Sequence, residues 1–86
     1  MQKVIIHTTQ TCPYCIAAKN LLKSVNVEFE EIQHQTGSDE LAQVKQELGW
    51  ATVPIIKVGD QVIGGFDDLR ALHQAGQFLP LVNQNS

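Results

Sequence analysis

The 86-residue sequence predicts an α/β fold in which a four-stranded mixed β-sheet is flanked by three α-helices, in the order β-α-β-α-β-β-α. Two observations support this prediction. Short β-branched, apolar runs alternate with longer runs whose apolar residues recur at helical spacing. The first strand–helix–strand unit should join two parallel strands, whereas a Gly59-Asp60 turn should join the last two strands as an antiparallel hairpin.

The N-terminal part of the chain contains the predicted strand–helix–strand unit. Residues 3–8 are mostly β-branched and apolar, and they predict a buried first strand. Pro13 suits the first turn of a helix, where its missing N–H costs nothing, and apolar residues continue at helical spacing until Asn26 breaks the pattern. Within residues 27–32, Val27 and Phe29 alternate with Glu28 and Glu30, and this pattern predicts the second strand.

The second helix is predicted from its two ends. Ser38 is a suitable N-cap, because its side-chain oxygen can accept a hydrogen bond from a free backbone N–H. Asp39 and Glu40 place negative charge at the positive end of the helix dipole. Gly49 should end the helix, since glycine readily adopts the left-handed conformation that follows a last helical turn.

The C-terminal part should contain a hairpin followed by a helix. The third strand, the fourth strand and the third helix are predicted at residues 53–58, 61–63 and 66–75. Gly64-Gly65 separates the last strand from that helix, and Gly76 follows its end. Residues 83–86 are expected to fray. The apolar residues expected to dock on the core before them are Phe78, Leu79, Leu81 and Val82.

Composition narrows the classes of function. With 6 basic and 9 acidic residues, the net charge is −3 and no basic patch is visible, which argues against nucleic acid as a main partner. No apolar stretch approaches membrane-spanning length, and the N-terminus lacks the pattern of a secretory signal. We expect one domain over residues 1–86. Because its only two cysteines form a C-x-x-C pair, we expect it in the reducing cytoplasm.

The two cysteines form the motif Cys12-Pro13-Tyr14-Cys15, between the first predicted strand and the first predicted helix. Unpaired N–H groups and the helix dipole stabilise a thiolate at a helix N-terminus. A thiolate attacks disulfides, and Cys15 lies close enough in the chain to form an intramolecular disulfide with Cys12. The motif therefore predicts thiol–disulfide exchange, with a nucleophile and a resolving partner.

Two other interpretations of the cysteines stay open at this point. A structural disulfide across so short a loop would remove little entropy from the unfolded chain. Half of a zinc site would need further ligands, and the candidates His7, His34 and His73 are spread singly along the chain. We interpret His7 as a packing residue, and His34 and His73 as surface residues.

Four features together resemble the glutaredoxins, which have the thioredoxin fold. They are Cys12-Pro13-Tyr14-Cys15 after the first strand, Thr52-Val53-Pro54 before the third, Gly64-Gly65 after the fourth and Asp67-Asp68 at the start of the last helix. The likeness spans essentially the whole chain. It implies a glutathione-disulfide oxidoreductase in which Cys12 attacks a protein disulfide or a glutathione mixed disulfide. Cys15 resolves a protein mixed disulfide, and glutathione restores the dithiol.

The resemblance also implies a groove for glutathione. In the family, the proline that corresponds to Pro54 is cis, and the residue before it offers its N–H and C=O to the cysteinyl part of glutathione. The implied glutathione-binding residues are Tyr14, Thr52, Val53, Pro54, Gly65, Phe66, Asp67 and Asp68. Glutathione is then a co-substrate and no cofactor is tightly bound. The implied partners are glutathionylated or disulfide-containing proteins, among them ribonucleotide reductase, and the protein is expected to be a monomer.

The chain departs from the family pattern at two places. Many glutaredoxins carry a lysine where this chain has Thr9, and an arginine or similar group where it has Trp50-Ala51. The missing lysine removes a cation that would stabilise the Cys12 thiolate and the glycyl carboxylate of glutathione, so we expect weaker glutathione binding. Two alternatives follow. One is a redoxin that takes electrons from thioredoxin reductase and passes them to ribonucleotide reductase. The other is an iron–sulfur carrier bridged by two Cys12 thiolates and two glutathiones, which Pro13 disfavours.

Overall fold

The computed structural model describes residues 2–83, in which strands and helices follow the predicted order and one short helix is added at the end. The elements are β1 (Val4–Thr9), α1 (Pro13–Ser24), β2 (Glu30–His34), α2 (Asp39–Leu48), β3 (Ile55–Val58), β4 (Gln61–Gly64), α3 (Phe66–Gln74) and α4 (Phe78–Val82). Within these residues, no helix combines the length and apolar character needed to cross a membrane.

The four strands form one mixed sheet in the order β2-β1-β3-β4. β1 and β2 are parallel, as the crossover rule predicts, whereas β3 is antiparallel to both β1 and β4. In the β1–β3 pair, His7 lies opposite Ile55. The turn that follows β1 therefore lies beside the segment that precedes β3, and this adjacency brings Cys12 close to Val53.

Two strands, β2 and β3, differ from the sequence prediction by two or more residues at an end, and these differences follow from backbone pairing. β2 begins at Glu30 rather than at residue 27, because its ladder with β1 begins at the Ile5–Glu30 pair and residues 27 and 28 lie beyond the first residue of β1. The same ladder continues to His34, opposite Thr9. β3 begins at Ile55 rather than at residue 53, since Pro54 has no backbone N–H to donate to a ladder.

The main core lies between one face of the sheet and the helices α1, α3 and α4. Val4 and Ile6 alternate along β1 and point to this face, as expected for a strand with one face on the core. The buried apolar residues of this cluster are Val4, Ile6, Ala18, Leu22, Val27, Ile56, Val58, Leu69, Phe78 and Val82. The core thus combines the central strands with the helix that carries the cysteines.

The short helix α4 is a feature that the sequence prediction did not include. Five residues are too few for a stable isolated helix, and this one is held by docking. Phe78 and Val82 are buried in the core, and the backbone N–H of Gln2 donates to the Val82 carbonyl at 2.7 Å. The docking prediction is wrong for Leu79, which stays exposed because it faces away from the core. Of the predicted frayed end, residues 84–86 lie outside the described residues.

The opposite face of the sheet carries α2 and a pair of buried histidines. His7 Nδ1 lies 3.0 Å from His34 Nε2, and His34 Nδ1 lies 3.1 Å from a carboxylate oxygen of Glu40 in α2. The prediction of His34 as a surface residue is therefore wrong, because the extension of β2 carries it under α2. Ser38 caps α2 as predicted, with its Oγ accepting from the Leu41 N–H at 3.2 Å. Gly49 adopts the left-handed conformation after the helix.

Candidate active site

Cys12 occupies the N-cap of α1, directly before Pro13 in the first turn. Its Sγ accepts a hydrogen bond from the backbone N–H of Cys15 at 3.2 Å. A sulfur at this position faces the unpaired N–H groups and the positive end of the helix dipole. The local structure therefore places the Cys12 sulfur where negative charge is favoured, which suits a nucleophilic thiolate.

Cys15 lies one turn further along α1 and is almost completely buried, with 1% of its surface exposed against 8% for Cys12. Both cysteines are free thiols. Burial, followed by the hydrogen bond with Cys12, raises the pKa of the Cys15 thiol to about 12. At neutral pH, Cys15 is therefore a protonated thiol behind the more accessible Cys12, and this arrangement favours Cys12 for the first attack.

The segment before β3 crosses directly over the Cys12 sulfur. The Val53–Pro54 peptide bond is cis, as the family resemblance implies. The Cys12 thiol donates a hydrogen bond of 3.7 Å to the Val53 carbonyl. The backbone of Val53 thus runs past the nucleophile, and an extended peptide in contact with this segment would pass next to Cys12.

A groove of about 450 Å³ runs from this segment to the start of α3. Its walls combine aromatic rings, backbone and two carboxylates. The residues that line it are Tyr14, Trp50, Thr52, Val53, Pro54, Gly65, Phe66, Asp67 and Asp68. The structure thus brings all eight residues of the predicted glutathione set into one groove and adds Trp50 to them.

The α3 end of the groove is shaped by Gly64, Gly65 and Asp68. The Asp68 carboxylate accepts from the Gly65 N–H at 3.0 Å and so caps the helix. Gly64 has φ +125°, and a Cβ there would lie 2.8 Å from the Trp50 ring and 2.6 Å from Asp68 Oδ2. Only glycine fits such a position. The first amides of α3, those of Phe66 and Asp67, have no carbonyl partners inside the helix and can receive an anion.

Aromatic side chains form the remaining walls. Tyr14 is 62% exposed, and its ring centroid lies 6.3 Å from that of Phe66. The guanidinium carbon of Arg70 lies 5.8 Å from the Phe66 ring centroid, and Arg70 approaches an Asp67 oxygen at 3.9 Å. Tyr14 lies between the two cysteines in the sequence, and its exposed ring lies beside Phe66 at the start of α3. The ring can therefore contact a ligand that is bound in the groove.

Trp50 is the site residue that sequence reasoning missed. Its position shortly before Thr52-Val53-Pro54 was visible, but only as a departure from the family pattern. Its ring packs over Gly64, a residue from the far side of the hairpin. The sequence offers one signal for this contact, namely Gly64 together with the chain's one tryptophan. Only the fold brings these two residues into contact.

The histidines do not join the cysteines. His7 and His34 stack on each other with ring centroids 5.2 Å apart on the α2 face of the sheet, and His73 is exposed on α3. Among residues 2–83, no group of three or more His, Cys, Asp or Glu side chains is arranged to hold a metal ion. The zinc interpretation of the cysteine pair therefore finds no ligand set in the described part of the chain.

A free dithiol at a helix N-terminus, beneath a cis-proline segment and on a β2-β1-β3-β4 mixed sheet, defines a thiol–disulfide oxidoreductase of the thioredoxin fold. Comparison with known proteins then identifies the family. The family model described as Glutaredoxin matches residues 4–63. The chain belongs to the glutaredoxin family.

Curated relatives and solved structures agree with this assignment. A "Glutaredoxin" of Pseudomonas aeruginosa is 42% identical over 83 residues, which cover 96% of this chain and 99% of that protein. "Glutaredoxin 3" of Escherichia coli K12 is also 42% identical, over 95% of this chain and 99% of its own length. The solution structure of a glutaredoxin from Brucella melitensis superposes with a TM-score of 0.83 at 38% identity and covers 100% of this chain and 96% of its own.

Proposed function

We propose that this protein is a glutathione-dependent oxidoreductase that reduces protein disulfides and glutathione mixed disulfides in the cytoplasm, as a monomer with one domain over residues 1–86. The observation that carries the proposal is the groove itself. It passes the Val53 carbonyl, to which the Cys12 thiol is hydrogen-bonded, and ends at the first amides of α3 beside Asp67 and Asp68.

The groove offers a matching group for most parts of glutathione. The backbone of Val53 can pair with the cysteinyl unit in the manner of an added strand, which would hold the ligand sulfur near Cys12. The amides of Phe66 and Asp67 can bind the γ-glutamyl carboxylate. The Asp67 carboxylate, 84% exposed, can pair with the γ-glutamyl ammonium.

For a glutathione mixed disulfide, the Cys12 thiolate attacks the glutathionyl sulfur, the old S–S bond breaks, and the protein thiolate leaves and takes up a proton. A second glutathione thiolate then attacks the glutathionyl sulfur of the Cys12 mixed disulfide, which forms oxidised glutathione and releases the Cys12 thiolate. For a protein disulfide, the Cys12 thiolate first forms a mixed disulfide with the substrate. The Cys15 thiol then attacks the Cys12 sulfur, and its proton goes to the substrate thiolate that leaves. Two glutathione molecules reduce the resulting Cys12–Cys15 disulfide.

The decisive experiment follows NADPH oxidation with one disulfide substrate in two coupled assays. The first contains glutathione and glutathione reductase, and the second contains thioredoxin reductase without glutathione. We expect turnover in the first assay and its loss in Cys12→Ser, while the exposed control Asn20→Ser on α1 keeps the full rate. Turnover in the second assay alone would overturn the proposal.

The second assay also tests a specific rival, a redoxin reduced by thioredoxin reductase that donates electrons to ribonucleotide reductase. One observation favours this rival: none of the residues that line the groove is a lysine or arginine, although glutathione carries two carboxylates. The coupled assays separate the two electron sources directly.

A further inference from the structure

The groove beside Cys12 has an unbalanced set of charges. Of its nine lining residues, Asp67 and Asp68 are acidic and none is a lysine or arginine. Arg70 lies next to this wall, but its guanidinium already contacts the Phe66 ring and approaches Asp67. A ligand in the groove therefore meets more negative than positive side-chain charge.

The α3 end can still accept one carboxylate together with an ammonium group. The first amides of α3 supply hydrogen-bond donors, and Asp67 supplies the partner for the ammonium. The Asp68 carboxylate is engaged with the Gly65 N–H at 3.0 Å and so contributes its charge from a fixed place. This end therefore suits the zwitterionic γ-glutamyl group.

A second carboxylate on the same ligand finds no such partner. The remaining walls are formed by the Tyr14, Trp50 and Phe66 rings, the Thr52 hydroxyl and the backbone around Pro54. The Trp50 ring is fixed against Gly64, where even a Cβ would lie 2.8 Å from ring carbons. A carboxylate beside these rings loses part of its hydration without gaining a cation, whereas an amide loses much less.

We propose that the groove selects γ-glutamylcysteinyl substrates whose C-terminal carboxylate is masked as an amide over those in which it is free. This inference rests on the proposed function, because it concerns the same groove and the same exchange reaction at Cys12. The chemical step is unchanged: the Cys12 thiolate bonds to the substrate sulfur, and the other thiolate of the disulfide leaves and is protonated.

The test compares two disulfide probes. Each joins the same dye-labelled cysteine peptide to either glutathione or glutathione amide, and release of the dye peptide by excess reduced protein gives a single-turnover rate. Each rate is divided by the rate at which dithiothreitol reduces the same probe, and this ratio removes the difference in intrinsic disulfide reactivity between the two probes. We expect the amide probe to react about two- to fivefold faster at low salt, the range for one partly exposed charge interaction. High salt should reduce this preference.

A designed cation in the groove should reverse the selection. Thr52→Lys places an ammonium on an exposed lining position, so it should shift the preference towards free glutathione. Asn20→Lys on the exposed face of α1 makes the same change in net charge outside the groove and should keep the preference for the amide. Loss of the preference in both variants would overturn the inference, because long-range net charge would then explain it.

The two proposals can fail separately. Equal rates for both probes in the native protein, or a faster reaction with free glutathione at low salt, would overturn the selection by charge and leave glutathione dependence intact. A third probe, joined to 2-mercaptoethanol in place of glutathione, tests the proposed function. If neither γ-glutamyl probe reacts faster than this one, the groove does not recognise glutathione and both proposals fail.

Discussion

At the scale of single residues, the active site depends on separate roles for two thiols that lie one helix turn apart. Cys12 stands at the N-cap, with its sulfur bonded to the Cys15 N–H, while Cys15 is buried and keeps its proton at neutral pH because its pKa is raised to about 12. The order of attack follows from exposure and from the helix terminus, and not from the residue type, which is the same at both positions.

Replacing Cys15 tests these separate roles. In Cys15→Ser, the Cys12 nucleophile remains, so removal of glutathione from a mixed disulfide should continue at a comparable rate. Reduction of an intramolecular protein disulfide should fall at least about tenfold, because the resolving thiol is gone and escape depends on a second-order reaction with glutathione. Both reactions are measured with the glutathione-coupled assay. An equal loss of both activities would contradict separate roles for the two cysteines.

Gly64 is a second position where one residue decides the geometry. Its φ of +125° and the Trp50 ring behind it leave no room for a side chain. Gly64→Ala should lower the free energy of unfolding by about 1–3 kcal/mol, because it adds backbone strain and a steric clash. Urea unfolding measures this change.

Gly65 provides the matched control for that substitution. It has φ −96°, and a Cβ there would make only ordinary contacts of 3.7 Å to the Pro54 carbonyl and 3.8 Å to Trp50 Nε1. Gly65→Ala should therefore change the free energy of unfolding much less than Gly64→Ala. The same loss in both variants would show that the Trp50 contact is not what excludes a side chain at position 64.

At the scale of elements, β1 connects the site to both faces of the sheet. On the α1 face, the Thr8 hydroxyl and the Lys19 ammonium bind the same Glu31 oxygen, at 2.7 and 2.9 Å, which ties β1, α1 and β2 together. The Lys19 bond, followed by the Thr8 bond, holds the pKa of Glu31 below its usual range. On the α2 face, His7 and His34 join β1 to β2.

The histidine pair predicts how stability depends on pH. Burial, followed by the nearby His34 and Lys57, lowers the pKa of His7 below the ordinary histidine value of 6.5. Between that lowered pKa and 6.5, the unfolded chain binds a proton at His7 that the folded chain does not. The stabilisation is therefore complete above pH 6.5 and is lost as the pH falls below it. The free energy of unfolding should drop by up to about 1.4 kcal/mol per pH unit in this window.

Urea unfolding between pH 7.5 and pH 5 checks this slope. His7→Gln should flatten it, whereas His73→Gln, which removes an exposed histidine on α3, should leave it unchanged. An NMR titration of the His7 ring in the native protein gives a second measure, with an expected midpoint below 6.5. A midpoint at or above the ordinary histidine value would contradict the effect of burial.

At the scale of the whole molecule, the elements near the site pack against one common hydrophobic core. α1 and α3 both pack on the face of the sheet that carries Val4 and Ile6, and α4 closes the same cluster with Phe78 and Val82. Trp50, the chain's one tryptophan, lies in the groove between the cis-proline segment and Gly64. Its fluorescence therefore reports on the site, while far-UV circular dichroism reports on the helices and the sheet.

This arrangement predicts a single cooperative unfolding transition. The tryptophan and circular dichroism signals should give the same urea midpoint, since the groove is built from segments anchored in the common core. A Trp50→Phe variant supplies the fluorescence baseline without the reporter. If tryptophan fluorescence changed at clearly lower urea than circular dichroism, the groove would be a separate, weaker unit and the prediction would be wrong.

Most of the fold could be predicted from local patterns. The strand and helix order, the parallel β1–β2 pair, the hairpin and the Ser38 cap are each specified by a few neighbouring residues. The failures have a common cause. β2 reaches His34 because β1 offers a partner, α4 exists because it docks on the core, and His34 is buried because α2 covers it.

By itself, the sequence determined the order of the four strands and first three helices, the position of Cys12 at a helix N-terminus and, by resemblance, eight of the nine residues that line the groove. These depend on short-range backbone chemistry or on motifs shared with the family. The tertiary structure decided what no local pattern contains: the Val53 carbonyl over Cys12, the burial that keeps Cys15 protonated, and Trp50 against Gly64. These contacts join residues far apart in the chain. They form only when packing brings strands and helices together, and the charge and shape of the groove follow from them.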